Sequence, residues 1–403
     1  MTDPVDLADR VAEGDLALYE LEAHADADTA AAARRIHVER QTGSSMDTIG
    51  DYAFEAGRAE SNIENMVGAV QLPVGVAGPV PVGGEAAAGQ YHLPIATTEG
   101  GLVASVNRGC STIRRAGGAT ARVTRAGMTR APVFAVEDIA AAQALVEWVQ
   151  HNEERLRVAA ESTTSHGELL AVDPYVVGDN VFLRFTYDTK DAMGMNMATI
   201  ATEAACDVIE TQTDADLVAL SGNLCSDKKP AAVNAVEGRG HSVTADVRIP
   251  REVVANRLDT TPEAIQTVNT RKNLIGSAKA ASLGFNAQVA NVVAGTFLAL
   301  GQDEAHVVEG SNAIVTAEAR PDELYASVSL ASLQLGTVGG GTDLPTQAEA
   351  LDLLGVAGGG DPPGTNADAL AEIIATGALA GELSLLASLA DDTLATAHES
   401  LGR

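Results

Sequence analysis

Apolar and polar positions alternate in two rhythms along this chain, and their order sketches a fold. Residues 4–40 place Leu7, Val11, Leu16, Leu18 and Leu21 at helical spacing among many acids. That predicts an amphipathic helical region, closed by a polar link at 43–47. Residues 66–95 are rich in Val, Gly and Pro (beginning MVGAVQLPVGVAGPVPVGG), a composition for short strands and turns. A helix over 98–115 should follow, capped by Thr97 or Thr98, with Leu102, Val103, Val106, Cys110 and Ile113 near one face.

The pattern over 132–220 predicts a compact α+β unit. A helical stretch at 136–156 precedes two strand-like runs, LLAVDPYVVG and NVFLRFTYDT, and then the helical MATIATEAACDVIETQT. Residues 276–300 read as one long helix of small and apolar residues, buried nearly all round. The glycines of 336–342 mark a loop, and a last helix should run from about Asp368 and break near Asp391. Gln288, Asn291 and Glu382 interrupt the two most apolar stretches, so neither suits a bilayer.

Charge changes the picture more than composition does. The 403 residues hold 26 Lys and Arg against 55 Asp and Glu, a net charge of −29, with 46% hydrophobic residues. The apolar fraction is that of a globular chain of two or three domains, and the charge disfavours nucleic-acid and membrane-surface partners. Only five of the cations are lysine: Lys190, Lys228, Lys229, Lys272 and Lys279. A Lys-poor, acidic surface suits a high-salt cytosol, where carboxylate repulsion is screened; a low-Lys, high-GC genome is the ordinary alternative. Three dispersed cysteines and the lack of a leader pattern point to a soluble protein of a reducing cytoplasm.

Several mechanisms drop out by inspection. No Walker phosphate loop, HExxH zinc site, GxSxG elbow or GxGxxG dinucleotide fingerprint occurs, and no metal site is expected. What remains is polar residues set in apolar or Gly-rich text. Glu99 sits beside two glycines, Lys228 and Lys229 stand together after Asp227, Asp303 follows an apolar helix, and His398 lies near the end. Taken singly, each has an ordinary reading: a first-turn acid, a solvated pair, a helix stop, a frayed terminus. An adjacent lysine pair in an arginine-using chain does suggest a need for an ammonium, which can tune a proton where guanidinium cannot.

Read in order, the segments resemble class I 3-hydroxy-3-methylglutaryl-CoA (HMG-CoA) reductase. The matching text is ENMVGAVQLPVGVAGPV, ATTEGGLVASVNRGC, GMTRAPV, KDAMGMNM, SGNLCSDKKPAAVNAVEGRG, GFNAQVANVV, GQD, LGTVGGGT and AGELSLLASL. The resemblance spans nearly the whole chain, is weakest before residue 60, and is to the catalytic portion without the membrane domain of eukaryotic members. DKKPA, DAMGMNM and GTVGGGT in this order are jointly specific.

The resemblance implies an α/β (α+β) fold: an N-terminal helical segment (1–60) and a large HMG-CoA-binding catalytic domain (61–131 and 221–403) around a long central helix. A small ferredoxin-like NADPH-binding domain (132–220) is inserted into the large one. It implies NADPH-dependent four-electron reduction of HMG-CoA to mevalonate and free CoA, in a homodimer or homotetramer with active sites at the subunit interface. The rivals are an NAD-dependent, mevalonate-oxidising member and a non-catalytic CoA-binding protein on the same scaffold.

By the same resemblance, Lys228 steadies the oxyanion, Glu99 is a proton donor tuned by burial beside Asp303, Asp303 couples the two, and His398 protonates the CoA thiolate. Arg130, Lys229 and Ser221 match residues on the substrate carboxylate, Asp227 and Asn291 its hydroxyl end, and Arg108 a CoA phosphate. Asp191, Met193, Gly194, Met195 and Asn196, with Gly339, Gly340, Gly341, Thr342 and Arg403, match the NADPH contacts. Ala397 stands where eukaryotic members carry serine before the histidine. Separately, with the last residue at Arg403, the serine phosphorylated in those members has no counterpart, so kinase control of that kind is not expected.

Overall fold

The computed structural model describes residues 3–391. Near the N-terminus, helices Pro4–Glu13 and Ala27–Thr42 are each capped by an aspartate: Asp3 accepts from Val5 N–H and Asp26 from Thr29 N–H. Ten strands follow: β1 (Val74–Gly83), β2 (Ala88–Ala96), β3 (Ala119–Arg130), β4 (Val133–Ala135), β5 (Glu168–Val177), β6 (Asn180–Asp188), β7 (Asp216–Ala219), β8 (Gly240–Pro250), β9 (Ala313–Ala319) and β10 (Glu323–Leu333). They join in one hydrogen-bonded network whose main path is β7-β4-β6-β3-β8-β10-β9. The fold is α/β.

One strand serves two cores. Residues 120–127 of β3 pair antiparallel with β8, while Met128–Arg130 pair with Phe185–Tyr187 of β6. Beyond that crossing, β4, helices Ile139–His151 and Glu153–Glu161, β5, β6, helix Met195–Gln212 and β7 form a βαββαβ unit. Its antiparallel strand order, β7-β4-β6-β5, is that of a ferredoxin-like sheet. Phe134, Leu145, Leu156, Phe185, Ala201 and Ile209 belong to its own apolar cluster.

The larger core is organised by the helix Thr365–Ala390, buried along most of its length from Ala367 to Ala387. It packs against helices Leu102–Arg115 and Val289–Leu300 and against β3, β8 and β10. Alternation in β8 turns Val243, Ala245, Val247 and Ile249 into this core. Each fully buried Leu or Ile contributes about 1.5–3 kcal/mol relative to exposure. Among the described residues this is the one helix long and apolar enough to cross a membrane, and its burial makes it a core helix. Its two interior acids meet loop backbones: Glu372 accepts from Glu85, Ala86 and Ala87 N–H, and Glu382 from Ala287 and Gln288 N–H.

Two expected helices are corrected. The 98–115 helix begins only at Leu102, because Gly101 adopts φ 89° as its N-cap and Thr97 Oγ1 instead takes Glu99 N–H in the preceding turn. The single helix expected over 276–300 is broken. Helical turns end at Lys279, Ala281 takes φ 55°, and the next helix starts at Val289. Polar side chains hold the interruption open: Asn286 Nδ2 donates to Ser311 and Ala313 carbonyls, and Phe285 N–H to Ala313 O at 2.8 Å. Apolar composition alone could not reveal that this stretch follows β9 rather than continuing its helix.

Candidate active site

The loop after β7 is built under backbone strain. Asn223, Ser226 and Lys228 take φ values of 64°, 56° and 55°, left-handed conformations that cost non-glycine residues on the order of 1–3 kcal/mol each. The surroundings hold them there. Asn234 Nδ2 donates to Ser226 O, Lys228 N–H to Glu309 Oε1 at 3.0 Å, and Arg239 Nη2 to Asp227 Oδ1 at 3.0 Å. The result places Lys228 Nζ 2.8 Å from Asp303 Oδ2. This hydrogen bond raises the Lys228 pKa. Burial pushes Asp303 up, but the Lys228 hydrogen bond, the His306 charge and the Ala305 N–H outweigh it, and the carboxyl lies below its ordinary value. Both groups are charged near neutrality.

Beneath this pair lies a network the sequence reading missed. Arg239, His306 and Glu309 are fully buried. Glu309 Oε1 accepts from Arg239 Nη1 and lies 3.1 Å from His306 Nδ1, while His306 Nε2 faces Asp303 Oδ2 at 3.6 Å. Asp227, His306 and Glu309 are close enough together to suggest a cation site. Arg239 already bridges two of the three carboxyl-bearing or imidazole groups, so the cluster is an ion-pair network. The only signals in the text were an arginine between two glycines and a His/Glu pair three apart.

A cleft of about 420 Å³ opens where the broken 276–300 segment passes the Leu102–Arg115 helix. Glu99, Arg108, Gln288, Asn291, Ser384 and Ser388 are among its lining residues; Lys228 and Asp303 are not. Arg108 is tied to the central helix through Nε to Ser384 Oγ (3.0 Å) and Nη2 to Ser388 Oγ (2.5 Å), and burial lowers its pKa. The expected burial of Glu99 beside Asp303 is not found. Glu99 is exposed, and among the described residues its carboxylate makes no hydrogen bond or ion pair. It belongs to a surface turn, not a buried helix end.

The remaining substrate candidates are dispersed around the strained loop. Arg130, at the end of β3, donates to Thr199 Oγ1; Ser221 Oγ lies 3.5 Å from Cys225 Sγ; exposed Lys229 donates to its neighbour's carbonyl, Asp227 O. Cys110, Cys206 and Cys225 are all free and buried.

The two segments expected at a cofactor do come together. Thr337 N–H donates to Asp191 O at 2.7 Å, and Ala192 bridges to Val338. Gly336 permits the contact, since a Cβ there would fall 2.4 Å from Met193 N. Gly194, at φ 82°, starts the helix carrying Met195 and exposed Asn196. Thr342 is buried with Oγ1 on Gly339 O, and Gly341 presses against Gly301. Gly339 and Gly340 have positive φ, and a Cβ on either would meet nothing within 4 Å, leaving an open peptide cradle. A second cleft of about 680 Å³ nearby is lined by Thr164, His166, Lys190, Ala192 and Val338 among others. The Asp191 carboxylate, 4% exposed, accepts N–H groups of Gly360, Gly364, Asn366 and Ala367, so it anchors the central helix. His398 and Arg403 lie outside the described residues.

An α/β fold with a charged Lys–Asp pair joining a strained loop to the turn after a core helix, beside clefts and a glycine cradle, has the features of an enzyme. The sequence matches the hydroxymethylglutaryl-coenzyme A reductase family over residues 30–403. It is 71% identical to the 3-hydroxy-3-methylglutaryl-coenzyme A reductase of Haloferax volcanii over all of both chains. It is 68% identical to that of Halobacterium salinarum, covering 100% of this chain and 99% of the relative. The Methanothermobacter thermautotrophicus reductase is 53% identical, covering 98% and 99%. The class II reductase of Streptococcus pneumoniae, in a structure bound to NADPH, has the same fold, with a TM-score of 0.67 at 21% identity over 93% of this chain and 100% of that one. The chain belongs to the HMG-CoA reductase family and is an oxidoreductase.

Proposed function

We propose that this enzyme reduces the thioester of HMG-CoA to mevalonate and free CoA with two equivalents of NADPH, as a class I member. The observation that carries the reading is the Lys228–Asp303 pair: an ammonium held at 2.8 Å by a carboxylate on a loop whose backbone cannot relax. Such an ammonium is preorganised to donate to a carbonyl oxygen as it gains negative charge. One donor of this kind is typically worth about 2.7–4 kcal/mol in the transition state. The class I assignment rests on DKKPA, DAMGMNM and GTVGGGT standing in order.

NADPH, when bound, supplies a hydride to each of two successive carbonyl centres. The open peptides of Gly339 and Gly340, in the large domain (61–131 and 221–403), and the 191–196 segment that Val338 touches, in the inserted unit (132–220), suit its phosphates, and the segment 1–60 precedes both in sequence. Arg108, fixed at the cleft by Ser384 and Ser388, is assigned to CoA, with Asn291 facing the acyl end. Arg130, Ser221 and Lys229 receive the substrate carboxylate, and Asp227 its hydroxyl. Glu99 protonates the aldehyde-level oxygen, and His398 returns a proton to the thiolate. That Glu99 lines a cleft which Lys228 and Asp303 do not line supports a site completed by a second subunit, and the acidic composition supports a cytoplasmic, high-salt setting.

The test follows absorbance at the reduced nicotinamide in molar KCl, with HMG-CoA and either NADPH or NADH, for wild type and Lys228→Ala. Turnover with NADPH that Lys228→Ala abolishes is expected. Absence of wild-type turnover at any salt overturns the reaction, and turnover confined to NADH overturns the cofactor.

A further inference from the structure

The buried Arg239–Glu309–His306 group ends on both members of the reactive pair. Glu309 Oε1 holds the Lys228 backbone N–H, and the His306 ring faces the Asp303 carboxylate. Burying three ionisable side chains is costly unless their charges balance and their hydrogen bonds close. Pinning a loop alone would need only neutral donors and acceptors. Three atoms of this group, Arg239 Nε, His306 Nε2 and Glu309 Oε2, are buried without a hydrogen-bond partner.

The groups facing His306 decide what it must be. Asp303 stands on its own turn, Glu309 on the next, and Asp227 on the strained loop, 3.9 Å from Nδ1. Arg239 reaches the group from the start of β8 through Glu309 and Asp227, and Lys228 reaches it through Asp303. These are three carboxylates against two fixed cations. A carboxylate stands at each ring nitrogen, so a neutral tautomer turns one lone pair toward an anion. A doubly protonated ring donates to Glu309 through Nδ1, turns its second N–H toward the Asp303 carboxylate 3.6 Å away, and brings the cluster to charge balance.

We propose that His306 is a positioning residue, a buried third cation that keeps Asp303 ionised and oriented so that the Lys228 ammonium stays aimed at the reacting carbonyl. The inference rests on the HMG-CoA reductase reading of the Lys228–Asp303 pair. Burial protects the interaction from salt: at molar ionic strength exposed charges are screened within about 3 Å, but buried pairs much less. The positioning therefore persists under the conditions the surface charge requires.

The test compares wild type with His306→Gln in molar KCl, measuring kcat and KM for HMG-CoA with NADPH across pH. Removing a cation beside Asp303 makes the carboxylate easier to protonate, so the acidic limb of kcat moves to higher pH, by about half a unit or more. KM for HMG-CoA should stay within about twofold, since no substrate contact is lost. A kcat lowered evenly at all pH, with the limb in place, or an unchanged enzyme overturns the proposal. A second readout does not depend on turnover: the 15N resonances of the His306 imidazole, assigned by their loss in His306→Gln, should show protons on both nitrogens at pH 7. In Glu309→Gln, which removes one anion, the ring should become neutral. A neutral ring in the wild type sinks the inference whether or not HMG-CoA is the substrate, whereas wild-type inactivity with a doubly protonated ring sinks only the reaction.

Discussion

Lys228 and Asp303 meet at 2.8 Å from two unrelated parts of the chain, a strained loop after β7 and the turn that closes the Val289–Leu300 helix. The contact raises the lysine and, against burial, lowers the aspartate. Its stabilisation is present above the ordinary aspartate value and is lost as pH falls through the lowered one. At the basic side it is present below the ordinary lysine value and is lost as pH rises through the raised one. The melting difference between wild type and Lys228→Ala should therefore be largest near neutrality and shrink on acidification below pH ~4. Scanning calorimetry from pH 3 to 8 in molar KCl measures it, and a difference that grows toward acid contradicts the assignment. Both side chains are partly exposed, so the neutral-pH difference should be small.

Asp191 gathers four backbone N–H groups around the start of the Thr365–Ala390 helix. Asp191→Ala leaves those donors buried without an acceptor, at a cost of about 2–4 kcal/mol. Asp191→Asn, which keeps one acceptor oxygen, should lose roughly half as much. Urea midpoints test this; an Ala variant as stable as wild type would place the anchor elsewhere.

Gly109 lets two core helices touch. A Cβ there would fall 1.9 Å from the Ala380 carbonyl oxygen, a backbone atom that cannot step aside. Gly109→Ala should cost about 1–3 kcal/mol or more by forcing the helices apart, despite alanine's better helix propensity. Because Arg108 and Ser384 flank this contact and hydrogen-bond across it, KM for HMG-CoA should rise as well.

The charge of −29 resides on a chain that buries few of its acids. Repulsion reaching about 10 Å at 0.1 M salt contracts to about 3 Å at 1 M. The melting temperature should climb steeply from 0.1 to 2 M KCl and then level. A flat or falling profile would mean that the acidic surface is not an adaptation to salt.

Much of the candidate site was legible because its residues stand in distinctive short segments. Lys228, Asp303, Arg108 and the two glycine-bearing segments could be named from DKKPA, GQD, NRGC, DAMGMNM and GTVGGGT. The departures differ in range. Glu99 stays in a surface turn where Thr97 Oγ1, two residues away, takes its N–H. The expected 276–300 helix, by contrast, is interrupted by distant partners, as Asn286 bonds the Ser311 and Ala313 carbonyls and Glu382 takes the Ala287 N–H.

Taken alone, the sequence determined the order and type of most elements, because helical periodicity, strand alternation and turn residues are properties of neighbours. It also determined the acidic surface and, through its motifs, the family. Only the tertiary structure decided that Arg239, Glu309 and His306 form a buried network under Lys228 and Asp303. Nothing local distinguishes a buried arginine from an exposed one. Its cost is tolerable only where partners distant in sequence converge on it, and that convergence exists only once the chain has folded.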